Sequence, residues 1–295
     1  MRKSNKYKKL IIRTKGIIRG ARIPKSFSKK NNNVFSNEKH IIIQIVMQKE
    51  KKHYRDMPDF LELLKTEIGL KKIPHFTTIN KFALRVKPFW FEQLIAQIIK
   101  AISTEEALIC AIDGTGFSLN NSSGYYGTVV KKQRQFMQFN SCSENKHKLI
   151  VSCKIRRKQR HEIIDFKQLS RKASEQLKIT HFLADKAYDS EENHRFVRYE
   201  LKSKLIVPLR KKGRHVRGFY RRQMINLPSI YDKRASICES MHSSLKRKYG
   251  DVIYAKKFVS GKNELLCRVL AYDLGIIVNL FFKEIYFLHG RCIGS

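Results

Sequence analysis

The chain has 295 residues, with 61 Lys and Arg against 25 Asp and Glu, for a formal net charge of +36. A field of that size draws polyanions, so nucleic acid is the default partner; an anionic membrane surface and a simple solubility effect are the other readings of it. A hydrophobic fraction of 42% excludes a disordered chain and suits one large domain or two ordinary ones.

Residues 1–36 form a first segment. Its first 33 residues hold twelve Lys and Arg, no acid, and an Asn31-Asn32-Asn33 run. This composition predicts a flexible basic arm, either a solvated tail or a source of non-specific phosphate contacts. The apolar core and cleavage site of a signal peptide do not follow, which points to a cytoplasmic protein.

Residues 37–104 read as helical. Ile41–Met47 is an apolar block, and Phe60, Leu61, Leu63, Leu64, Ile68 and Leu70 recur at roughly helical spacing. Gly69 suits a helix end, Pro74 breaks the chain, and Thr77 or Thr78 can cap a new helix through Ile79, Phe82 and Leu84. The pattern fits a helix-turn-helix, or an ordinary helical hairpin.

From residue 105 the texture changes. Ala107–Ile112, Ser123–Val130, Gln133–Phe139 and Lys148–Ile155 read as strands. Phe166–Leu177 reads as a helix, Phe182–Ala184 as a strand, Glu191–Leu201 as a helix and Lys204–Val207 as a strand. A further helix carries Glu239, after a basic loop at 210–222. This order predicts an α/β domain over 105–288: an RNase H-like mixed sheet flanked by helices, behind an N-terminal helix-turn-helix-like region and a basic disordered arm. Val269–Leu288 is apolar but interrupted by Asp273, Lys283 and Glu284, so it reads as a buried helix rather than a membrane span. The six cysteines, at 110, 142, 153, 238, 267 and 292, form neither a C-x-x-C pair nor a zinc-binding pattern, and read as reduced thiols.

Three acids stand out against the basic background. Asp113 ends the apolar run Ala107–Ile112, and Asp185 ends Thr180–Ala184. Each is also a residue type that closes a strand or caps a turn. If those strands are neighbours in the sheet, the two carboxylates face each other. Residues 186–190 follow with Asp189 or Ser190 placed to cap the next helix. On a helix, where residues advance about 100° each, Glu239, His242 and Lys246 share a face, while Ile237, Met241 and Leu245 form an apolar stripe. The bland reading of that face is a surface charge set. Phosphodiester cleavage suits such acids, because two Mg²⁺ ions roughly 3.5–4 Å apart can activate a nucleophile and stabilise a leaving oxygen. Mg²⁺ takes hard oxygen ligands and keeps waters, so three carboxylates can suffice.

Taken together these residues resemble the insertion-sequence DDE transposases whose third acid sits in a Tyr-x2-Arg-x3-Glu-x6-Lys signature. The first motif is Ile112-Asp-Gly-Thr, the second Ala184-Asp-Lys-Ala-Tyr-Asp-Ser190, and the third supplies Tyr231, Arg234, Glu239 and Lys246. Four residues rather than three separate Arg234 from Glu239, which turns Arg234 about 100° from the expected face. Tyr54–Met57 through Pro74–Ile79, and Glu264–Leu274, are also similar to this family, so the resemblance spans roughly residues 40–280.

The resemblance implies a set of roles. Asp113, Asp185 and Glu239 would hold two Mg²⁺ or Mn²⁺ ions. Water attack would free a 3′-OH at an element end, and that hydroxyl would attack target DNA. Lys246 would hold a phosphate, Arg234 likewise, and Tyr231 would stack or hydrogen-bond near the end; Lys186 and Tyr188 are further DNA-binding candidates. Thr77–Arg85 is the expected reader of terminal repeats. The partner is double-stranded DNA, both element ends and target, with no membrane, in a nucleoid-associated protein of prokaryotic type. Synapsis of two ends leaves room for a homodimer. A catalytically inactive DNA-binding relic, a structure-specific RNase H-like nuclease and a basic RNA-binding protein are the competing readings.

Overall fold

The computed structural model describes residues 2–27, 34–102, 106–120, 136–157, 160–210 and 215–290. The chain divides into two compact units, Met1–Ile98 with Val259–Ser295, and Ile99–Phe258.

The first unit is helical, and it corrects the expectation of a disordered arm. Residues Arg2–Gly20 form helix α1. Leu10, Ile11, Thr14, Ile18 and Ala21 are buried. They recur at the spacing of one helix face, a period that the dense Lys and Arg obscure in the sequence. Lys15 Nζ donates to the Glu67 carbonyl at 2.9 Å. Helix α2 (Asn37–Lys49) begins at Ser36, whose hydroxyl accepts from the Lys39 amide. Ile41, Ile42, Ile43, Ile45, Val46 and Met47 are all buried, as in a helix surrounded by others.

Short helices α3 (Met57–Glu62) and α4 (Lys65–Ile68) follow, the second closed by Gly69 at φ 79°. Helix α5 runs Phe76–Arg85. Its cap is His75, whose Nδ1 accepts from the Thr77 amide, rather than the expected Thr77 or Thr78. Ile79, Phe82 and Ala83 face inward, while Thr77, Asn80, Lys81, Leu84 and Arg85 are exposed. Helix α6 is Pro88–Ile102. The last helix, α11 (Phe258–Gly290), groups with these helices and not with the sheet. Asn263 Nδ2 donates to the free carbonyls of Ala83 and Val86 at the end of α5. Fully buried Arg268 donates to Gln48 Oε1 at 3.1 Å and pairs with Glu264. No helix among the described residues is long and apolar enough to cross a membrane.

The second unit holds a six-stranded mixed sheet, order β3-β2-β1-β4-β5, with β6 on the far end of β1. The strands are β1 (Leu108–Leu119), β2 (Phe136–Glu144), β3 (Ile150–Arg156), β4 (Ile179–Ala184), β5 (Lys204–Ile206) and β6 (Val252–Ile253). β1, β2 and β3 pair antiparallel, and β4, β5 and β6 run parallel to β1's direction. The expected strand at Ser123–Val130 lies outside the described residues, as do residues 133–135 of the next one. β1 runs seven residues beyond the expected end at Ile112. Gly114 and Gly116 let it continue, because Glu162 and the Phe136 ring lie where their side chains would be.

Helices cover both faces. Successive strand residues point to opposite sides. Asn140 bonds Asp165 of α7 (Ile163–Ser174), whereas Ser141 bonds His242 of α10 (Lys233–Tyr249). Hence α7 and α10 lie on opposite faces. On the α10 face Ala111, Leu183, Ile206, Ile237 and Cys238 form one core cluster, joined by Ile230 and Tyr231. Burial of each large aliphatic side chain there is worth about 1.5–3 kcal/mol. Helices α8 (Glu191–Tyr199) and α9 (Phe219–Arg222) complete the unit. The described cysteines, 110, 142, 153, 238 and 267, are buried, and none is in a disulfide.

Candidate active site

The parallel ladder of β1 and β4 ends at the pair Ile112–Ala184. The residue that follows each member of that pair is an acid. Neighbouring strands lie about 4.8 Å apart, so Asp113 and Asp185 stand side by side where the ladder opens. Asp113 is inside β1, opposite Ser141 of β2, rather than at a strand end. It keeps the parity of Ala111 and so faces α10. Asp185 leaves β4 and accepts from the Ala187 amide, capping the short 3₁₀ turn Lys186–Tyr188.

Glu239 reaches this place from α10. Its side chain is 64% exposed, and Arg234 links it to the strand acids: Nη1 lies 3.4 Å from Asp113 Oδ2, and Nη2 lies 3.4 Å from Glu239 Oε1. The extra residue before Glu239 therefore does not remove Arg234 from the site. Its long side chain spans the change in helical angle, with the guanidinium 5.8 Å from the Tyr231 ring. Lys246 Nζ donates to Thr115 Oγ1 at 2.7 Å and lies 5.3 Å from the Phe117 ring. Lys186 is exposed on its turn.

Two members are placed differently from expectation. Tyr188 is fully buried, so its ring has no surface to offer DNA; its hydroxyl donates instead to Glu162 Oε2 at 3.2 Å. His242 is buried as well, 3.0 Å from Ser141 Oγ, and does not stand as a cation beside Glu239. Desolvation lowers its pKa to about 4. Asp189 also departs from its expected capping role. It is held by Arg221 through two bonds of 2.8 and 2.7 Å, and accepts from the Arg210 amide. This clamp fixes both ends of the basic loop next to the Asp185 turn. Ser190 occupies the cap position of α8 without a side-chain bond.

The sequence reading missed Glu162. It precedes α7, and one carboxyl oxygen lies over Gly114. Burial raises its pKa, and the Asp113 and Asp185 carboxylates push it further up. Asp113 shifts the same way: burial raises it, Asp185 and Glu239 add to the rise, and the Gly114 amide and Arg234 oppose it. Burial lowers Lys246. Nothing in the local sequence marks Glu162, because 49 positions separate it from Asp113. A groove of about 570 Å³ opens beside it, lined in part by Thr115, Phe136, Gln138, Arg160 and Ala187.

These donors are hard carboxylate oxygens, the chemistry that Mg²⁺ or Mn²⁺ takes, and their mutual repulsion is of the kind a cation relieves. Among the described residues no three acidic, His or Cys side chains stand close enough to enclose an ion as they are; Glu239 is drawn to Arg234 instead.

A mixed sheet of this order, flanked by helices and with paired acids where its central parallel ladder opens, makes an α/β domain consistent with the RNase H-like class. Residues 104–274 match the transposase DDE domain family. The match covers more than half of the chain, and the protein belongs to that family. Its members generally use divalent metal ions. No curated protein matches the sequence.

Proposed function

We propose that the protein is a DNA transposase that cuts the ends of an insertion sequence and joins them to target DNA. The observation that carries this is the placement of Asp113 and Asp185 at the open end of the β1–β4 ladder, with Glu239 tied to Asp113 through Arg234. In this reading Asp113, Asp185 and Glu239 hold two Mg²⁺ or Mn²⁺ ions. When bound, such ions supply Lewis-acid polarisation of phosphoryl oxygens and a more acidic water or hydroxyl.

The chain's own residues do the positioning. Lys246 places a charge beside Thr115 for a phosphate at the scissile bond. Arg234 and Tyr231 meet the element end. Lys186 and the loop at 210–222, held by Asp189, contact backbone phosphates, which set register without reading bases. The exposed side of α5 reads terminal repeats. Two protomers hold two ends in the joined complex.

The test is a nicking and strand-transfer assay with Mg²⁺ or Mn²⁺ on DNA carrying the element's ends. Cleavage followed by joining through a 3′-OH supports the reading; cleavage without joining favours a structure-specific nuclease. One observation favours a second reading, a DNA-binding relic: the residue inserted between Arg234 and Glu239, with Glu239 turned to the guanidinium. Binding without cleavage in either metal would establish that relic.

A further inference from the structure

Glu162 is an acid beside Asp113 for which the roles above leave no use. A side chain at position 114 would collide with Glu162 Oε1, and its Cβ would fall 2.7 Å from Asn140 Oδ1. Two oxygens therefore converge on one small volume at the glycine that follows Asp113. Glu162 is held there by the Tyr188 hydroxyl, itself three residues beyond Asp185. Asn140 is fully buried. Its Nδ2 donates to Asp165 at 2.9 Å, and its Oδ1 has no hydrogen-bond partner among the described residues.

Buried acceptors are satisfied as a rule. A carboxylate oxygen and an amide oxygen facing one volume repel each other unless something positive lies between them. Arg234 does not serve this purpose, since it pairs with Asp113 and Glu239 on the α10 side of β1, whereas Gly114 and Asn140 face α7. The absent side chain at 114 leaves the space. The adjoining groove of about 570 Å³ gives an ion access with its waters, which suits Mg²⁺, an ion that keeps several waters and needs few protein ligands.

We propose that Glu162 and the Asn140 amide oxygen form a further divalent-cation position beside Asp113, on the α7 side of β1. The inference rests on the reading of Asp113 as a cation ligand.

The test measures Mn²⁺ binding to the full-length protein without DNA, by electron paramagnetic resonance of the free ion, alongside Mn²⁺-dependent nicking. Glu162→Gln is expected to weaken binding by about ten- to a hundredfold, the range for residues that support a metal. Glu200→Gln, a surface acid paired with Arg171, leaves it unchanged. A measurement on the wild-type protein covers the case in which Glu162→Gln does not fold. Bound Fe²⁺ with ascorbate and peroxide should cut the backbone near residues 113–115 and 160–163 together.

Wild-type Mn²⁺ affinity in folded Glu162→Gln, or cuts near 113 and 185 with none at 160–163, would overturn the proposal. If Asp113→Asn still abolishes binding and nicking in that event, the transposase reading stands without it. No Mn²⁺ binding and no nicking in the wild-type protein overturns both.

Discussion

The Arg234 guanidinium joins Asp113 of the central strand to Glu239 of helix α10, 3.4 Å from each carboxylate. A single cationic side chain thus offsets repulsion among acids that strand and helix bring together. The same contact competes with any other cation for those oxygens. Arg234→Ala is expected to raise the pKa of Asp113 further, because it removes a lowering influence. It should also tighten Mn²⁺ binding several-fold while weakening DNA. Titration calorimetry with Mn²⁺ and a DNA-binding isotherm check the two directions.

Asp113→Ala, Asp185→Ala and Glu239→Ala are each expected to abolish cleavage. DNA affinity should hold or rise, because each deletes a negative charge facing phosphate. A variant that still cuts at near the wild-type rate removes its residue from the centre.

Gly114→Ala places a methyl group against Glu162 Oε1 and Asn140 Oδ1. Overpacking of this kind costs about 1–3 kcal/mol. Pairing it with Glu162→Ser should recover part of that loss, since the colliding carboxylate is gone. Chemical denaturation of the single and double variants measures the coupling.

His242 gives an acid limb to stability. Its folded pKa is lowered to about 4 from 6.5. Below the unfolded value the unfolded chain takes a proton that the folded protein does not. Stability is therefore lost as pH falls from about 6.5 to about 4, on the order of 3 kcal/mol for a group this buried. His242→Gln should flatten that limb. Thermal melts of both proteins between pH 7 and pH 4 show whether it does; parallel curves would exclude the effect.

Lys246→Met keeps an unbranched side chain and removes the charge, which lies 5.3 Å from the Phe117 ring. If Lys246 meets a phosphate, the slope of log affinity against log salt should fall by about 1. An unchanged slope would take Lys246 off the DNA.

How much was legible in the sequence differs by element. Strands and helices of the second unit read nearly to their limits where apolar runs and turn residues alternate, as in β3, β5 and α8. β1 reads as ending at Ile112 because the apolar run stops there, and Gly114 and Gly116 carry no side chain to continue an alternating pattern. In the sheet they are spaces for Glu162 and Phe136. The helix at Arg2–Gly20 was missed because charge density hides a period: Leu10, Ile11, Thr14 and Ile18 make a buried face only once neighbours cover it. Tyr188 passed for a DNA contact because neighbouring sequence carries no sign of burial.

By itself the sequence pointed to the class, through a resemblance carried by several motifs together, and singled out three candidate acids, since apolar runs ending in Asp, and a helix bearing Glu with Lys seven residues on, are local patterns. Tertiary structure decided which acids stand together. Glu162 comes to lie over Gly114, His242 packs into the core, and Arg234 spans Asp113 and Glu239 despite one residue too many. Pairing register and helix packing set those distances, and both depend on contacts between segments tens of residues apart, which no local pattern carries.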